Sequence, residues 1–429
     1  ADGVVALAPP DFAPNADPFP SVGVSTARNS CAEANRSGAA GFDFAVDRVF
    51  LDVYASAHAN EEFWYTNEPG TAGGGAYRTL VVFVDDVLAG AQPAFPFIYS
   101  GGINPLLWRP LGGIGSFALP PYRFDLTPFA ARMSNARKAT VAACVLSDDE
   151  ADSVWYLDLV VASWKRDDNP GAVLTETSLT FANSFQVAVS NSTSSRGGVE
   201  DDDDGSVLET TTIVTEGSLN YSVRSVVTAD DGAEIDVAID GTTSNKVTND
   251  VAFNSQASTA LLTSSLKTTV TKTLVASLVS IQVQSTVVED AYPLYVDLAV
   301  RGVGETTNIT VGRQRTLLFN NAGPVVSWAA ATSGFGTFGG ADQTAASNAS
   351  FSLGVGATTC YDRRAEASDG YVTRDSESGG GACDLPAGLR SCGLELCGLT
   401  ALPHRPAPAF SPSPGAGGAF FAAAKSPRR

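Results

Sequence analysis

Apolar and polar residues alternate along most of the chain, and the period is that of strands. In Val49-Phe-Leu-Asp-Val-Tyr-Ala-Ser-Ala57, positions 49, 51, 53, 55 and 57 are apolar while Asp52 and Ser56 face the other way. That pattern predicts a strand with one strongly buried face. Thr79–Val84 is apolar on both faces and predicts a central strand. Val154–Val161 predicts another, with Trp155, Leu157, Leu159 and Val161 on one face and Tyr156 and Asp158 on the other. Pro- and Gly-rich loops separate these runs. From about residue 170 the chain turns to Thr, Ser and Val in short alternating runs, such as Ser206–Glu216, Ser218–Val227, Ala233–Ile239 and Leu274–Val288. No stretch sustains a helical period, so the expectation is all-β: a sandwich over 46–168 and a second β-rich domain over 169–375. Residues 1–45 are expected to be a leader or linker, and 376–429 a disordered low-complexity tail rich in Gly, Ala and Pro. No internal repeat is found.

Charge narrows the partners. The 429 residues carry 27 Lys and Arg against 46 Asp and Glu, a formal net charge of −19. Such a chain repels phosphate backbones, which argues against nucleic acids and anionic membranes as partners. Hydrophobic residues make up 44% and charged residues 17%, enough apolar content for a sizeable core. No apolar run approaches the roughly 18 residues a membrane helix needs, so no membrane span is expected.

Cysteines and sequons point to the secretory route. Six cysteines (Cys31, Cys144, Cys360, Cys383, Cys392, Cys397) form an even set that permits disulfides, and Cys360–Cys383 and Cys392–Cys397 are candidate pairs. With no CxxC pair and only two histidines, a zinc site has almost no ligands, and no metal or cofactor is expected. Asn35, Asn191, Asn220, Asn308 and Asn348 each begin an Asn-x-Ser/Thr acceptor. A secreted, cell-wall or vacuolar protein is expected. The start Ala1-Asp2-Gly3 suggests a processed form or fragment.

Several sites can be set aside. The acidic run Glu200–Asp204 lacks the spaced oxygen ligands of a calcium loop and is expected to be solvated. Gly334-Phe-Gly336-Thr-Phe-Gly339 fits a dinucleotide fingerprint by spacing, but no amphipathic helix follows. There is no GxSxG elbow and no phosphate-binding GxxxxGK loop. A histidine-based triad is left with His58 and His404.

What remains lies between residues 58 and 109. His58-Ala-Asn-Glu61-Glu62-Phe-Trp64-Tyr-Thr-Asn67 follows directly on a strand and sets two carboxylates beside three aromatics. Aromatic faces take the apolar faces of sugar rings, carboxylates bind their hydroxyls, and a desolvated carboxylate suits general acid or base work. The bland alternative is a buried Phe/Trp pair with the acids solvated on a loop. A second cluster, Phe95–Pro110, combines Gly101-Gly102, Asn104-Pro and Trp108-Arg109, giving a tight turn, an aromatic platform and a fork of donors.

These segments carry a resemblance. Glu61–Asn67, Tyr99-Ser-Gly-Gly-Ile-Asn-Pro-Leu-Leu-Trp-Arg-Pro110 and Val154-Trp-Tyr-Leu-Asp158 are similar to the peptide:N-glycanase A family, as are Leu119–Tyr122 and Leu126–Phe129. The likeness is clear from about 46 to 168, weaker from 274 to 372 (where Cys360-Tyr361 looks like a family motif), and lacks the family's N-terminal part. It implies jelly-roll domains, no metal, an acidic working pH, and hydrolysis of the glycosyl-asparagine amide to aspartate and a glycosylamine. By the same resemblance Glu62 is the expected catalytic carboxylate with Glu61 beside it, and His58, Trp64, Asn104, Trp108 and Arg109 are expected to bind N-glycan or glycopeptide substrate. The family's water-activating aspartate is expected upstream, in a jelly-roll chain of the same precursor. Ala118 and Arg123 stand where acids are expected. Two other readings stay open: a non-catalytic N-glycan-binding module, and a structural β protein of a wall or surface.

Overall fold

Among the described residues, eighteen antiparallel strands account for the fold. The computed structural model describes residues 3–6, 35–71, 74–99, 101–108, 110–116, 119–148, 154–200, 207–276, 278–301, 304–320, 326–339, 343–356 and 358–378. The strands in chain order are β1 (Gly3–Ala6), β2 (Asn35–Ala40), β3 (Val46–His58), β4 (Arg78–Val84), β5 (Val87–Pro93), β6 (Tyr122–Asp125), β7 (Ala139–Ser147) and β8 (Val154–Lys165). There follow β9 (Leu174–Glu200), β10 (Val207–Ala229), β11 (Glu234–Ala252), β12 (Ser255–Ala276), β13 (Leu278–Arg301) and β14 (Gly304–Phe319). The last four are β15 (Val326–Phe338), β16 (Thr344–Val355), β17 (Thr358–Ser368) and β18 (Tyr371–Ser378).

The first eight form two four-stranded sheets, ordered β1-β8-β3-β6 and β2-β7-β4-β5. That order is a jelly roll. Two of its strands, β1 and β2, fall inside the stretch expected to be a leader or linker. Small residues such as Gly38, Ala39 and Ala40 carry little alternation, and β2 is recruited by backbone pairing along β7 (Gly38 opposite Val141) rather than by a hydrophobic stripe of its own.

Between the two sheets lies the main core, including Val49, Leu51, Val53, Leu80, Val82, Val141 and Val161. Fully burying such side chains contributes about 1.5–3 kcal/mol each. The β4–β5 hairpin turns on Asp85 and Asp86, both at positive φ (43° and 69°), where Asp is among the few non-Gly residues tolerated. Asp85 secures the turn by accepting the Thr140 backbone N–H at 2.8 Å.

Strands β9 to β18 form one ten-stranded meander in sequence order. Its inner face covers the outside of the second sheet, packing Leu219, Tyr221 and Ile239 against Tyr77, Val81, Phe83 and Cys144. This is why β4 is buried along its whole length, on both faces.

Two sequence expectations shift here. Ser206–Glu216 and Ser218–Val227 join into the single strand β10. Gly217 is no turn: a side chain there would put its Cβ 2.2 Å from the Tyr77 ring, so the glycine admits that ring. Leu274–Val288, expected as one run, is divided between β12 and β13, which pair from Ala276 opposite Leu278 onward. Among the described residues no helix is long and apolar enough to cross a membrane. The tail from residue 379, most of the acidic run at 201–204, Arg109, His404, Cys31, Cys383, Cys392, Cys397 and the side chain of Asn35 lie outside the described residues. Neither Cys144 nor Cys360 is a free thiol.

Candidate functional site

β3 ends at His58, and the chain leaves it through Ala59 at φ 53°, in the left-handed region. For alanine that conformation costs about 1–2 kcal/mol. It feeds two short 3-10 turns, Ala59–Glu61 and Trp64–Thr66, which send the two acids into different surroundings.

Glu61 is fully buried. Its Oε1 accepts Arg78 Nη2 at 2.6 Å, and its Oε2 accepts Arg78 Nε at 2.5 Å and the Trp155 indole N–H at 2.6 Å. Arg78 also lies 3.6 Å from Asp148 and donates to the Tyr77 carbonyl at 2.6 Å. Gly75, at φ 73°, lets the backbone run against this network, since a Cβ there would sit 2.2 Å from Asp148 Oδ2. A carboxylate gripped three times and closed off from solvent holds the loop in place.

Glu62 is half-buried. It sits close enough to Tyr65 that, after burial itself, its charge is the next cause pushing that phenol well above its ordinary range; Tyr99 adds to the shift.

The outward side of β3 and β8 continues this end of the molecule. Register places Tyr54 opposite Asp158 and Ser56 opposite Tyr156. Tyr156 is 63% exposed and Tyr54 36%; His58 and Asp158 are exposed too. Ser56 Oγ lies 3.0 Å from His58 Nε2 and 3.2 Å from Tyr99 Oη, and the His58 and Tyr156 rings are 4.5 Å apart. Tyr99 is stacked on Phe97. The turn after it closes with Gly102 N–H on the Tyr99 carbonyl at 2.8 Å, and a Cβ on Gly102 would lie 3.5 Å from Phe63. The result is an open surface of phenol faces, hydroxyls, an imidazole and two carboxylates. Chemically it offers stacking faces for sugar rings and donors and acceptors for their hydroxyls, with the half-buried Glu62 at the margin.

Residues 58–108 therefore divide in two. His58 and Glu62 lie on the open surface, whereas Trp64, Asn104 and Trp108 are buried core. Asn104 accepts the Leu106 N–H at 2.9 Å and donates to Thr307 Oγ1 at 3.5 Å on β14. Leu107 and Trp108 pack on Gly334, and Asn104 and Leu107 on Gly336, all at 3.1–3.5 Å from where a Cβ would stand. The fingerprint-like glycines thus admit this loop. Trp64, Asn104 and Trp108 are closed off from solvent, the last two against β14 and β15 of the ten-stranded sheet. Tyr54, Ser56, Tyr99, Tyr156 and Asp158 were not among the expected site residues. The period-two alternation that puts Ser56, Tyr156 and Asp158 opposite the core is the signal that finds them. Among the described residues no group of three or more His, Cys, Asp or Glu side chains is placed to hold a metal ion.

Residues 25–170 match the family model described as peptide N-acetyl-β-D-glucosaminyl asparaginase amidase A. Over these residues the jelly roll is similar to that family. Peptide-N4-(N-acetyl-β-glucosaminyl)asparagine amidase A of Prunus dulcis is 41% identical over 127 residues, which cover 27% of this chain and 22% of the relative. The chain thus spans about a fifth of the length of that curated relative. No solved structure matches it. The amidase A match contains β2 to β8 and both loop clusters, so the Glu61–Arg78–Trp155 anchor and the open surface at His58 lie wholly within it.

Proposed function

We propose that this chain is an N-glycan amidase of the amidase A family. It would hydrolyse the amide between the first N-acetylglucosamine and the asparagine side chain. Water supplies the oxygen that converts asparagine to aspartate, and the nitrogen leaves with the sugar as a glycosylamine. Glu62 is the carboxylate at the scissile amide, and His58, Tyr99 and Tyr156 form the wall on which the first sugars rest. Glu61 is a positioning residue that holds the loop through Arg78 and Trp155. The observation that carries the reading is the open surface of Tyr54, Ser56, His58 and Tyr156 beside Glu62, inside the family-matched segment. The water-activating aspartate that the resemblance places upstream would reach Glu62 across this surface, from a jelly roll of the same precursor. A secretory route fits Asn191, Asn220, Asn308 and Asn348, all exposed on the ten-stranded sheet, and the absence of a free thiol at Cys144 and Cys360.

The test is a mass-spectrometric assay of one N-glycopeptide at mildly acidic pH, with this chain and with its Glu62→Gln variant, each supplied with the upstream jelly roll. Released glycan with asparagine converted to aspartate, lost in the variant, is the expected result. Full turnover by the variant removes Glu62 from the chemistry. The second reading, glycan binding without cleavage, is favoured by the surface offering more aromatic and hydroxyl groups than free acids. Binding without turnover, even with an upstream jelly roll supplied, would establish it.

A further inference from the structure

Outside the Glu62 surface, a cavity of about 330 Å³ lies between the outer face of the β1-β8-β3-β6 sheet and strands β12 to β14. It lies at the other end of β3, where Arg48 and Phe50 rather than Tyr54 and His58 face outward. At a rise of ~3.3 Å per residue, Arg48 and His58 are about 30 Å apart along the strand.

The lining is charged but balanced: four Lys or Arg side chains face four Asp. The arginines are already paired with acids. Arg123 grips Asp52 at 2.7 and 2.6 Å, Arg315 grips Asp290 at 2.6 and 2.8 Å, and Arg48 is 3.7 Å from Asp125 while also donating to Gln284. An ionic ligand entering here must break one of these pairs, which in a buried setting costs several kcal/mol. A neutral ligand with many hydroxyls need not, because paired guanidinium and carboxylate groups present donors and acceptors side by side.

Ser264, Ser265, Thr268 and Thr286 add hydroxyls of the same kind. Trp164, only partly covered and set edge-on to Phe50 at 5.5 Å, supplies one flat apolar wall. One polar atom points to a missing donor. Gln92 is 8% exposed and lines the cavity; its Nε2 donates to the Arg123 carbonyl at 2.6 Å, but its Oε1 has no partner among the described residues. A buried acceptor left so is costly, and a ligand hydroxyl satisfies it.

From this geometry we infer a second ligand site, specific for a neutral saccharide of one or two rings. The sugar stacks on Trp164, donates a hydroxyl to Gln92 Oε1, and bridges the jelly roll to the ten-stranded sheet. The cavity volume, at the lower end of the ~300–1,000 Å³ typical of small-molecule sites, suits a ligand of that size. The inference goes beyond the amidase reading and does not depend on it.

The experiment is a titration of the full chain with methyl α-D-mannopyranoside, N-acetylglucosamine and N,N′-diacetylchitobiose, followed by saturation-transfer NMR and by melting temperature. At least one should bind and raise the melting temperature, since the ligand links two sheets. Gln92→Leu, which keeps the shape and removes the acceptor, should weaken that binding about five-fold or more. Trp164→Ala should weaken it as well, with Trp164→Phe carrying the test should the alanine variant unfold. The inference is overturned if none of the three sugars binds, or if glycine or inorganic phosphate is preferred. Binding that survives Gln92→Leu and is lost in Tyr156→Ala would also overturn it, by placing the sugar on the other surface.

Discussion

The indole N–H of Trp155 donates to Glu61 Oε2 at 2.6 Å, joining residues 94 positions apart. It ties the start of β8 to the loop that follows β3, and the same carboxylate holds Arg78 at the start of β4. One buried acid thus fixes three strands around the end of the molecule where Glu62 and His58 reach solvent. The two adjacent glutamates have separate jobs: one holds the loop, the other is left available.

Breaking that anchor should be expensive. Removing one partner of a buried, hydrogen-bonded ion pair typically costs about 3–5 kcal/mol, because the other charge is left uncompensated. Arg78→Ala and Glu61→Ala are expected to fall in that range in urea unfolding. Glu61→Gln, which keeps one acceptor oxygen, should lose less, about 1.5–3 kcal/mol. A loss below about 1 kcal/mol for both alanine variants would mean that the network is not under load.

Tyr156 should behave in the opposite way. With 63% of its surface exposed, its truncation to alanine should shift stability by no more than about 0.5 kcal/mol. Its ring lies 4.5 Å from His58 and forms the most open part of the proposed sugar wall. Aromatic contacts of this type are worth about 0.5–1.5 kcal/mol, so Tyr156→Ala should weaken N-glycopeptide binding roughly two- to ten-fold. Unchanged affinity by calorimetry would take Tyr156 out of the site.

Gly217 provides a test of how the ten-stranded sheet sits on the jelly roll. A methyl group there would meet the Tyr77 ring at 2.2 Å, inside a well-packed layer. Overpacking of this kind costs about 1–3 kcal/mol, and Gly217→Ala should show it in thermal unfolding. Adding Tyr77→Leu should recover part of the loss, giving a favourable coupling term between the two positions. Additive losses would show that the two elements do not press on each other there.

Much of the fold is legible in period-two alternation. Val49 to Ala57, Thr79 to Val84 and Val154 to Val161 predict β3, β4 and β8, with the faces that the core uses. The missed strands, β1 and β2, are short, and β2 is rich in small residues that bury little by themselves. Glycine misled at Gly217, where it marks a ring passing over a strand, and the β12–β13 turn was hidden inside an apolar run. For the site, residue type located the segment, but burial could not be read from it. Glu61, Trp64, Asn104 and Trp108 have the chemistry of ligand-binding residues, yet partners distant in sequence (Trp155, Thr307, Gly334) turn them inward. His58 and Glu62 differ from them only in what the fold leaves uncovered.

Alkali should unfold this protein through its buried phenols. Burial is the main cause that pushes both Tyr77 and Tyr292 from an ordinary value of 10.0 up to about 12, with the Asp148 carboxylate adding to the effect at Tyr77 and Asp290 at Tyr292. The neutral phenol is the form that the fold accommodates. A raised folded value means that the stability it contributes is fully present below about pH 10, where the unfolded chain is also protonated. It is lost as pH climbs from there toward 12, as the unfolded state gives up protons that the folded state retains. Urea midpoints should therefore hold steady up to about pH 10 and then fall steeply, with phenolate absorbance lagging until the chain unfolds. Tyr77→Phe removes one of these protons and should make the alkaline fall shallower. An equal slope in the variant, or phenolate forming near pH 10 in the folded protein, would show that Tyr77 is reached by solvent and that the ten-stranded sheet does not seal the outer face of β4.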